Sequence, residues 1–191
     1  MTVDQNVFEV VVTDRTGWLV DVVTVITHSG GTIAAWIVSI VATIVLLRRG
    51  RDRDAFLVAG AMLSGWAVMS LLKALFGRQR PPTPERLVDI ASHSFPSGHA
   101  MMTAVLVGVL AAVIFRTDLP RYVRLVTVVL LLLYTLMVGL SRVYLAAHWL
   151  SDVLAGWVFG ALWAAFWILR TRTRTRSLRP MRHSFNQTER V

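Results

Sequence analysis

The chain has 191 residues, 55% of them hydrophobic, and a formal net charge of +9. A soluble domain of this size rarely holds such long apolar runs, so the composition predicts a membrane protein with a single helical bundle. Because the sequence contains no cysteine, disulfides, thiolate metal sites and thiol nucleophiles are all excluded.

Residues 1–31 predict one weakly amphipathic helix at the membrane surface. Charged residues interrupt each apolar run before it is long enough to cross a bilayer. These residues are Glu9, Asp14, Arg15 and Asp21. We therefore expect an N-terminal interfacial segment, with Trp18 at the height of the lipid headgroups.

Further apolar runs follow, and they predict an all-α, polytopic transmembrane helical bundle of about five spans. The runs cover residues 32–47, 55–76, 100–115, 122–140 and 151–169. The last run contains Gly156 and Gly160, at a spacing that permits close contact between helices. We assign residues 32–169 to one membrane domain.

The basic residues are concentrated in short turns and at the C-terminus. They lie in residues 48–53, in residues 116–124 and in the tail, residues 170–191. Since basic loops face the cytoplasm, the polar loops at residues 77–96 and 141–150 are expected on the outer face. The tail has almost no core-forming residues and predicts a disordered cytoplasmic extension. This pattern indicates membrane anchoring rather than nucleic-acid binding.

The polar residues between Ser141 and Asp152 form the first of three clusters that suggest chemistry. If this stretch is helical, His148 and Asp152 share a face, and the carboxylate accepts a hydrogen bond from one imidazole nitrogen. The other nitrogen is then free to act as a nucleophile. Arg142 lies near enough to offer a fork of donors to an oxyanion. A helix cap or a surface hydrogen bond is the ordinary alternative for such a pair.

The second cluster is Lys73, the only lysine in the chain, followed seven residues later by Arg80 and Pro81. A lysine inside an apolar span is costly, so it is either functional or snorkels to the membrane surface. We expect Arg80 on the same side as Lys73, two helical turns later.

The third cluster is Ser97, Gly98 and His99, which lead into an apolar run. A helix N-terminus with a glycine lets backbone amides approach an anion. His99 is then a candidate proton donor to a leaving oxygen. The alternative reading is a plain N-cap serine with a packing histidine.

Together the three clusters resemble the type-2 phosphatidic-acid phosphatase family, also called the lipid phosphate phosphatase and vanadium haloperoxidase superfamily. That family's signature is Lys-x6-Arg-Pro, then Pro-Ser-Gly-His, then Ser-Arg-x5-His-x3-Asp. The corresponding residues here are Lys73-ALFGRQ-Arg80-Pro81, Pro96-Ser97-Gly98-His99 and Ser141-Arg142-VYLAA-His148-WLS-Asp152. Membrane members commonly have six spans, one of them before the segment that begins here at Gly17, so five spans are a departure.

The resemblance implies a role for each signature residue. His148 would attack phosphorus, Asp152 would orient it, and His99 would protonate the leaving group and later activate water. The phosphate oxygens would be held by Lys73, Arg80, Ser97, Gly98 and Arg142. Because cationic side chains neutralise the phosphate, no metal or other cofactor is expected.

The function expected from this resemblance is hydrolysis of a lipid phosphate or diphosphate through a phosphohistidine, at the outer face of the cell membrane. The substrate would be a polyprenyl diphosphate, a phosphatidate or a related lipid. One alternative is a non-catalytic protein that binds or transports a lipid phosphate, although binding alone needs only the cations. A vanadate-dependent peroxidase is a further alternative, but those members are soluble and larger.

Overall fold

The computed structural model describes residues 2–88 and 90–172, and within them the secondary structure is entirely helical. The helices are α1 Val3–Thr13, α2 Gly17–Ser29, α3 Thr32–Arg48, α4 Asp52–Phe76, α5 Gly98–Phe115, α6 Arg121–Tyr144 and α7 Leu150–Arg170. Four of these helices, α4 to α7, are long and apolar enough to cross a membrane. If the bent pair formed by α2 and α3 is counted as one span, the total is five. The prediction of an all-helical membrane bundle is confirmed, whereas the predicted tail lies outside the described residues after Arg172.

The N-terminal segment differs from the expected single helix, because it forms α1 and α2. Asp14 is the C-cap of α1, and Thr16 is the N-cap of α2. Between them Arg15 turns toward the bundle, where it donates to the carbonyl oxygens of Tyr144 at 3.0 Å and Glu85 at 2.6 Å. Because these acceptors are distant in the chain, local amphipathicity did not predict the break.

A second break, at Gly30 and Gly31, separates α2 from α3, and the two helices meet at an angle of 41°. A Cβ atom at Gly30 would lie 2.4 Å from the methyl groups of Val138, so only glycine lets the end of α2 approach α6 this closely. The bend therefore carries α2 along α6, and α3 continues across the bundle beside α4.

The most extensive contact between two helices is that of α5 with α7. A Cβ at Gly156 would lie 2.9 Å from the carbonyl oxygen of Ser97, and one at Gly160 would lie 2.5 Å from that of Met101. Both obstacles are backbone atoms, which a side chain cannot move aside. The absence of a side chain at both glycines therefore allows α5 and α7 to pack this closely.

The two ends of the bundle differ in chemistry. At one end the C-termini of α4 and α6 meet the N-termini of α5 and α7, together with the loop between α4 and α5. At the other end the basic turns converge, since Arg51 and Arg116 both bind the buried carboxylate of Asp54. The polar loops and the basic turns thus lie at opposite ends of the helices.

Candidate active site

All the residues selected from the sequence lie around the first of these ends. The turn between α6 and α7 is tight, because Ala146 adopts a left-handed conformation with φ of 50°. The carbonyl oxygen of Arg142 accepts from the amides of Ala147 at 2.9 Å and His148 at 3.2 Å. The turn therefore places His148 directly beside the end of α6.

His148 precedes α7, so the expectation that His148 and Asp152 share a helix is wrong. They nevertheless lie close together, with 3.5 Å between Nδ1 and Oδ2. This separation is longer than an ordinary hydrogen bond. Ser94 lies between them, since its hydroxyl donates to Asp152 and is 3.4 Å from the same imidazole nitrogen.

The other imidazole nitrogen, Nε2, is 3.0 Å from Nη1 of Arg80 and is therefore not free, as the sequence had suggested. A guanidinium only donates hydrogen bonds, so Nε2 is the acceptor and the ring proton is on Nδ1, toward Asp152. Burial, with the charges of Arg80, Lys73 and Arg142, lowers the pKa of His148 to about 3 despite the opposing effect of Asp152. The ring is consequently neutral at pH 7, as a nitrogen nucleophile must be.

Asp152 is fully buried, and its carboxylate accepts hydrogen bonds from three donors. Arg78 donates to Oδ1 at 2.6 Å, while the Ser94 hydroxyl and the Trp149 amide donate to Oδ2. Hydrogen bonds of this kind fix the carboxylate's orientation and keep it ionised. Arg78 and Ser94 were missed in the sequence, where they are one arginine of a basic run and one serine of a polar loop.

Lys73 and Arg80 come together in a different way from the one expected. The helix α4 ends at Phe76, so the two residues are not successive turns of one helix. Instead both bind the same stretch of loop, where the carbonyl oxygen of His93 accepts from Lys73 at 2.6 Å and from Arg80 at 3.2 Å. Arg80 also donates to the carbonyl oxygen of Ala147 at 2.6 Å, which ties this loop to the turn that holds His148.

Arg80 remains positively charged at pH 7 in this environment. Its pKa is lowered to about 10, first by burial and then by the nearby charge of Arg86, while Asp152 acts in the opposite direction. A pKa near 10 leaves the guanidinium protonated at pH 7, next to the neutral imidazole of His148.

A residue in the N-terminal part of the chain, Thr27, binds Arg142. The side chain of Arg142 is 3% exposed, and Nη1 donates to the hydroxyl of Thr27, itself 1% exposed, at 2.7 Å. The Nε atom of Arg142 is buried and has no hydrogen-bond partner among the described residues. A guanidinium with unused donors is suited to bind an oxyanion. No pattern in the sequence marked Thr27, which is one threonine in an apolar helix.

The N-terminus of α5 completes the site. Ser97 is the N-cap, and its hydroxyl accepts from the amide of Ala100 at 3.5 Å, while its own amide donates to the carbonyl oxygen of Asp152 at 3.0 Å. A Cβ at Gly98 would lie 3.8 Å from Cε of Lys73, so the side chain of Lys73 passes beside this glycine. The ring of His99 reaches Gly31, where Nε2 is 3.7 Å from the position of a Cβ atom.

Comparison with known proteins extends these observations beyond the site. Residues 54–176 match the PAP2 superfamily. The chain is 32% identical over 163 residues to phosphatidylglycerophosphatase B of Bacillus subtilis, covering 83% of this chain and 78% of that protein. Over 144 residues it is 35% identical to decaprenylphosphoryl-5-phosphoribose phosphatase of Mycobacterium tuberculosis, covering 71% of each.

The folds agree as well. The crystal structure of a transmembrane PAP2-type phosphatidylglycerolphosphate phosphatase from Bacillus subtilis superimposes with a TM-score of 0.82 at 28% sequence identity. The match covers 91% of this chain and 87% of that structure. The likeness therefore extends over most of the chain.

Proposed function

This chain belongs to the PAP2 superfamily of membrane phosphatases, and we propose that it hydrolyses the phosphate or diphosphate of a membrane lipid through a phosphohistidine on His148. The observation that carries the proposal is the setting of that histidine. Its neutral ring has Nε2 among the cationic side chains and Nδ1 directed toward the buried carboxylate of Asp152. A phosphate that binds these cations therefore meets the lone pair of the nucleophile.

In the first step Nε2 of His148 attacks phosphorus, and the bond from phosphorus to the lipid oxygen breaks. His99 gives a proton to that oxygen, so the lipid leaves as a neutral alcohol, or as a monophosphate when the substrate is a diphosphate. As the new bond to phosphorus forms, the Arg80 N–H that had donated to Nε2 keeps its proton and donates its hydrogen bond to a phosphate oxygen instead. In the second step His99 takes a proton from water, and the resulting oxygen nucleophile breaks the phosphorus–nitrogen bond.

The cations supply the electrostatic part of this mechanism. Lys73, Arg80 and Arg142, with the Ser97 hydroxyl and the Gly98 amide, bind the equatorial oxygens as negative charge redistributes. Fixed donors in a buried site stabilise the transition state more than they would in water, because they need not reorganise. This set of cations neutralises the phosphate without a metal ion.

The substrate class follows from the site and from the relatives. The relatives described above act, by their names, on phosphatidylglycerophosphate and on decaprenylphosphoryl-5-phosphoribose. We propose a phosphate monoester or diphosphate carried by a lipid of this kind, with its chain in the hydrocarbon of the bilayer. At the end of the spans, the site lies at the depth of a headgroup phosphate.

Phosphate release from a panel of lipid phosphates in detergent tests this function. The panel contains a polyprenyl diphosphate, a phosphatidate and phosphatidylglycerophosphate. We expect release from at least one lipid, no effect of excess chelator on its rate, and competitive inhibition by vanadate, which mimics five-coordinate phosphorus. Binding of the panel without release would indicate a lipid-phosphate binding protein. Loss of the rate in chelator, with recovery in magnesium, would indicate a metal-dependent enzyme.

We also propose that the site faces the outer side of the cell membrane. The basic turns at Arg51 and Arg116 lie at the opposite end of the bundle from His148, and basic turns favour the cytoplasm. With α2 and α3 as one bent span, the N-terminal helix α1 then lies outside and the C-terminus of α7 inside.

Cysteine labelling tests this orientation, since the natural chain contains no cysteine. Val3, in α1, is 71% exposed, and Val3→Cys is expected to react with an impermeant maleimide in intact cells. Asp52→Cys, in the exposed first turn of α4, is the matched control and should react only after lysis. The reverse pattern would show that the site faces the cytoplasm.

A further inference from the structure

The carboxylate of Asp4, in the first turn of α1, binds the N-terminus of α7. Its Oδ1 atom accepts from the amide of Ser151 at 2.9 Å, and Oδ2 accepts from the Ser151 hydroxyl. The same oxygen accepts from Nη2 of Arg78 at 2.7 Å. Burial raises the pKa of Asp4, but the hydrogen bonds of Ser151 and Arg78 outweigh it, so the pKa is lowered and the group is ionised at pH 7. The contacts with Ser151 join residues 147 positions apart in the chain.

Arg78 connects this carboxylate to the candidate catalytic residues. While Nη2 binds Asp4, Nη1 donates to Oδ1 of Asp152 at 2.6 Å and to the Ser151 hydroxyl at 2.7 Å. One guanidinium is thus shared between two carboxylates, one of them fully buried beside His148. The three groups Asp4, Arg78 and Asp152 together carry one net negative charge.

We propose that Asp4 is a positioning residue for the nucleophile, acting through Arg78 and Asp152; this inference rests on the proposed function. When His148 takes up phosphorus its ring becomes cationic, and a negative charge next to Nδ1 stabilises that state. Without Asp4, Arg78 would pair with Asp152 alone, and the pair would be neutral. Asp4 therefore keeps the negative charge of Asp152 available to the imidazole.

Docking of α1 does not depend on Asp4 alone. Val7 and Val11 pack against the apolar cluster that contains Val153, and the ring of Phe8 lies 5.7 Å from that of Trp149. An uncharged residue of the same shape at position 4 should therefore leave the helix in place. This allows the charge of Asp4 to be tested separately from the fold.

The test compares kcat and KM of the wild-type protein with those of Asp4→Asn, which removes the charge and keeps the shape. We expect kcat to fall at least fivefold with KM within twofold of wild type, because the cations that bind phosphate are untouched. Asp4→Glu should recover much of kcat. Glu9→Gln, at an exposed carboxylate of the same helix, is the matched control and should behave as wild type.

The decisive experiment compares the Arg78→Met variant with the double variant Arg78→Met, Asp4→Asn. Since Asp4 acts through Arg78, the substitution should then change kcat by less than twofold. Wild-type kcat in Asp4→Asn, or the same proportional loss with and without Arg78, would overturn the inference and leave Asp4 as a structural contact. The proposed function is judged separately, by turnover of the wild-type protein and by its dependence on His148.

Discussion

Replacing His148 with alanine is expected to abolish phosphate release, with kcat lowered by about a thousandfold or more. His148 is 3% exposed, and its Nε2 atom lies 3.0 Å from Nη1 of Arg80, one of the cations proposed to bind phosphate. Removing it leaves the cations to bind substrate, so KM should change far less than kcat. Both constants are measured on the purified protein with the lipid phosphate that is hydrolysed fastest.

The control for this experiment is His183→Ala, a histidine beyond the C-terminal end of α7 in the sequence. It should leave both constants unchanged. Full activity of a purified His148→Ala protein would disprove the mechanism, because the mechanism assigns the covalent step to His148. If the inactive variant still binds vanadate, the protein is folded and its phosphate-binding cations are in place.

Asp152→Asn is expected to lower kcat by about a hundredfold or more while affecting KM less. The carboxylate accepts hydrogen bonds from Arg78, Ser94 and the amide of Trp149. An amide group must turn its NH2 toward one of these donors, so the imidazole loses both its orientation and the neighbouring negative charge. A rate close to that of wild type would show that the contact between Asp152 and His148 has no role in turnover.

Asp52→Asn is the matched control for this substitution, since Asp52 is an exposed carboxylate in the first turn of α4, at the opposite end of the bundle. Thermal unfolding in detergent should be measured for both variants. Asp152 is buried among hydrogen-bond donors, and its replacement also costs about 1 to 3 kcal/mol of stability. Comparison of the unfolding midpoints separates this loss from the loss of rate.

The sequence was sufficient to predict the helical bundle and the three clusters, because both depend on local patterns. Long apolar runs mark spans directly, and the spacing of Lys73, Ser97 and His148 with their neighbours marks the clusters. The geometry between these residues was less predictable. The proximity of Lys73 to Arg80 depends on carbonyl groups of a loop, and that of His148 to Asp152 depends on a turn rather than on a helix.

The residues that support the site could not be predicted in the same way. Asp4 and Thr27 reach the site through contacts with Ser151, Arg78 and Arg142, which are far away in the chain. A single sequence carries no signal for such contacts, since neither residue interrupts a local pattern that would draw notice. Only the bend after α2 and the docking of α1 bring them to the same end of the bundle.

The bend at Gly30 and Gly31 has a consequence for selective inhibition. The match to the superfamily begins at residue 54, yet Thr27 binds Arg142, which we propose to bind phosphate, and Gly31 lies against His99. Two enzymes with the same three signature clusters are therefore free to differ along the edge of the site that Thr27 and Gly31 form. A compound that combined a phosphate mimic with a group fitted to the edge would distinguish between them, which the phosphate mimic alone would not.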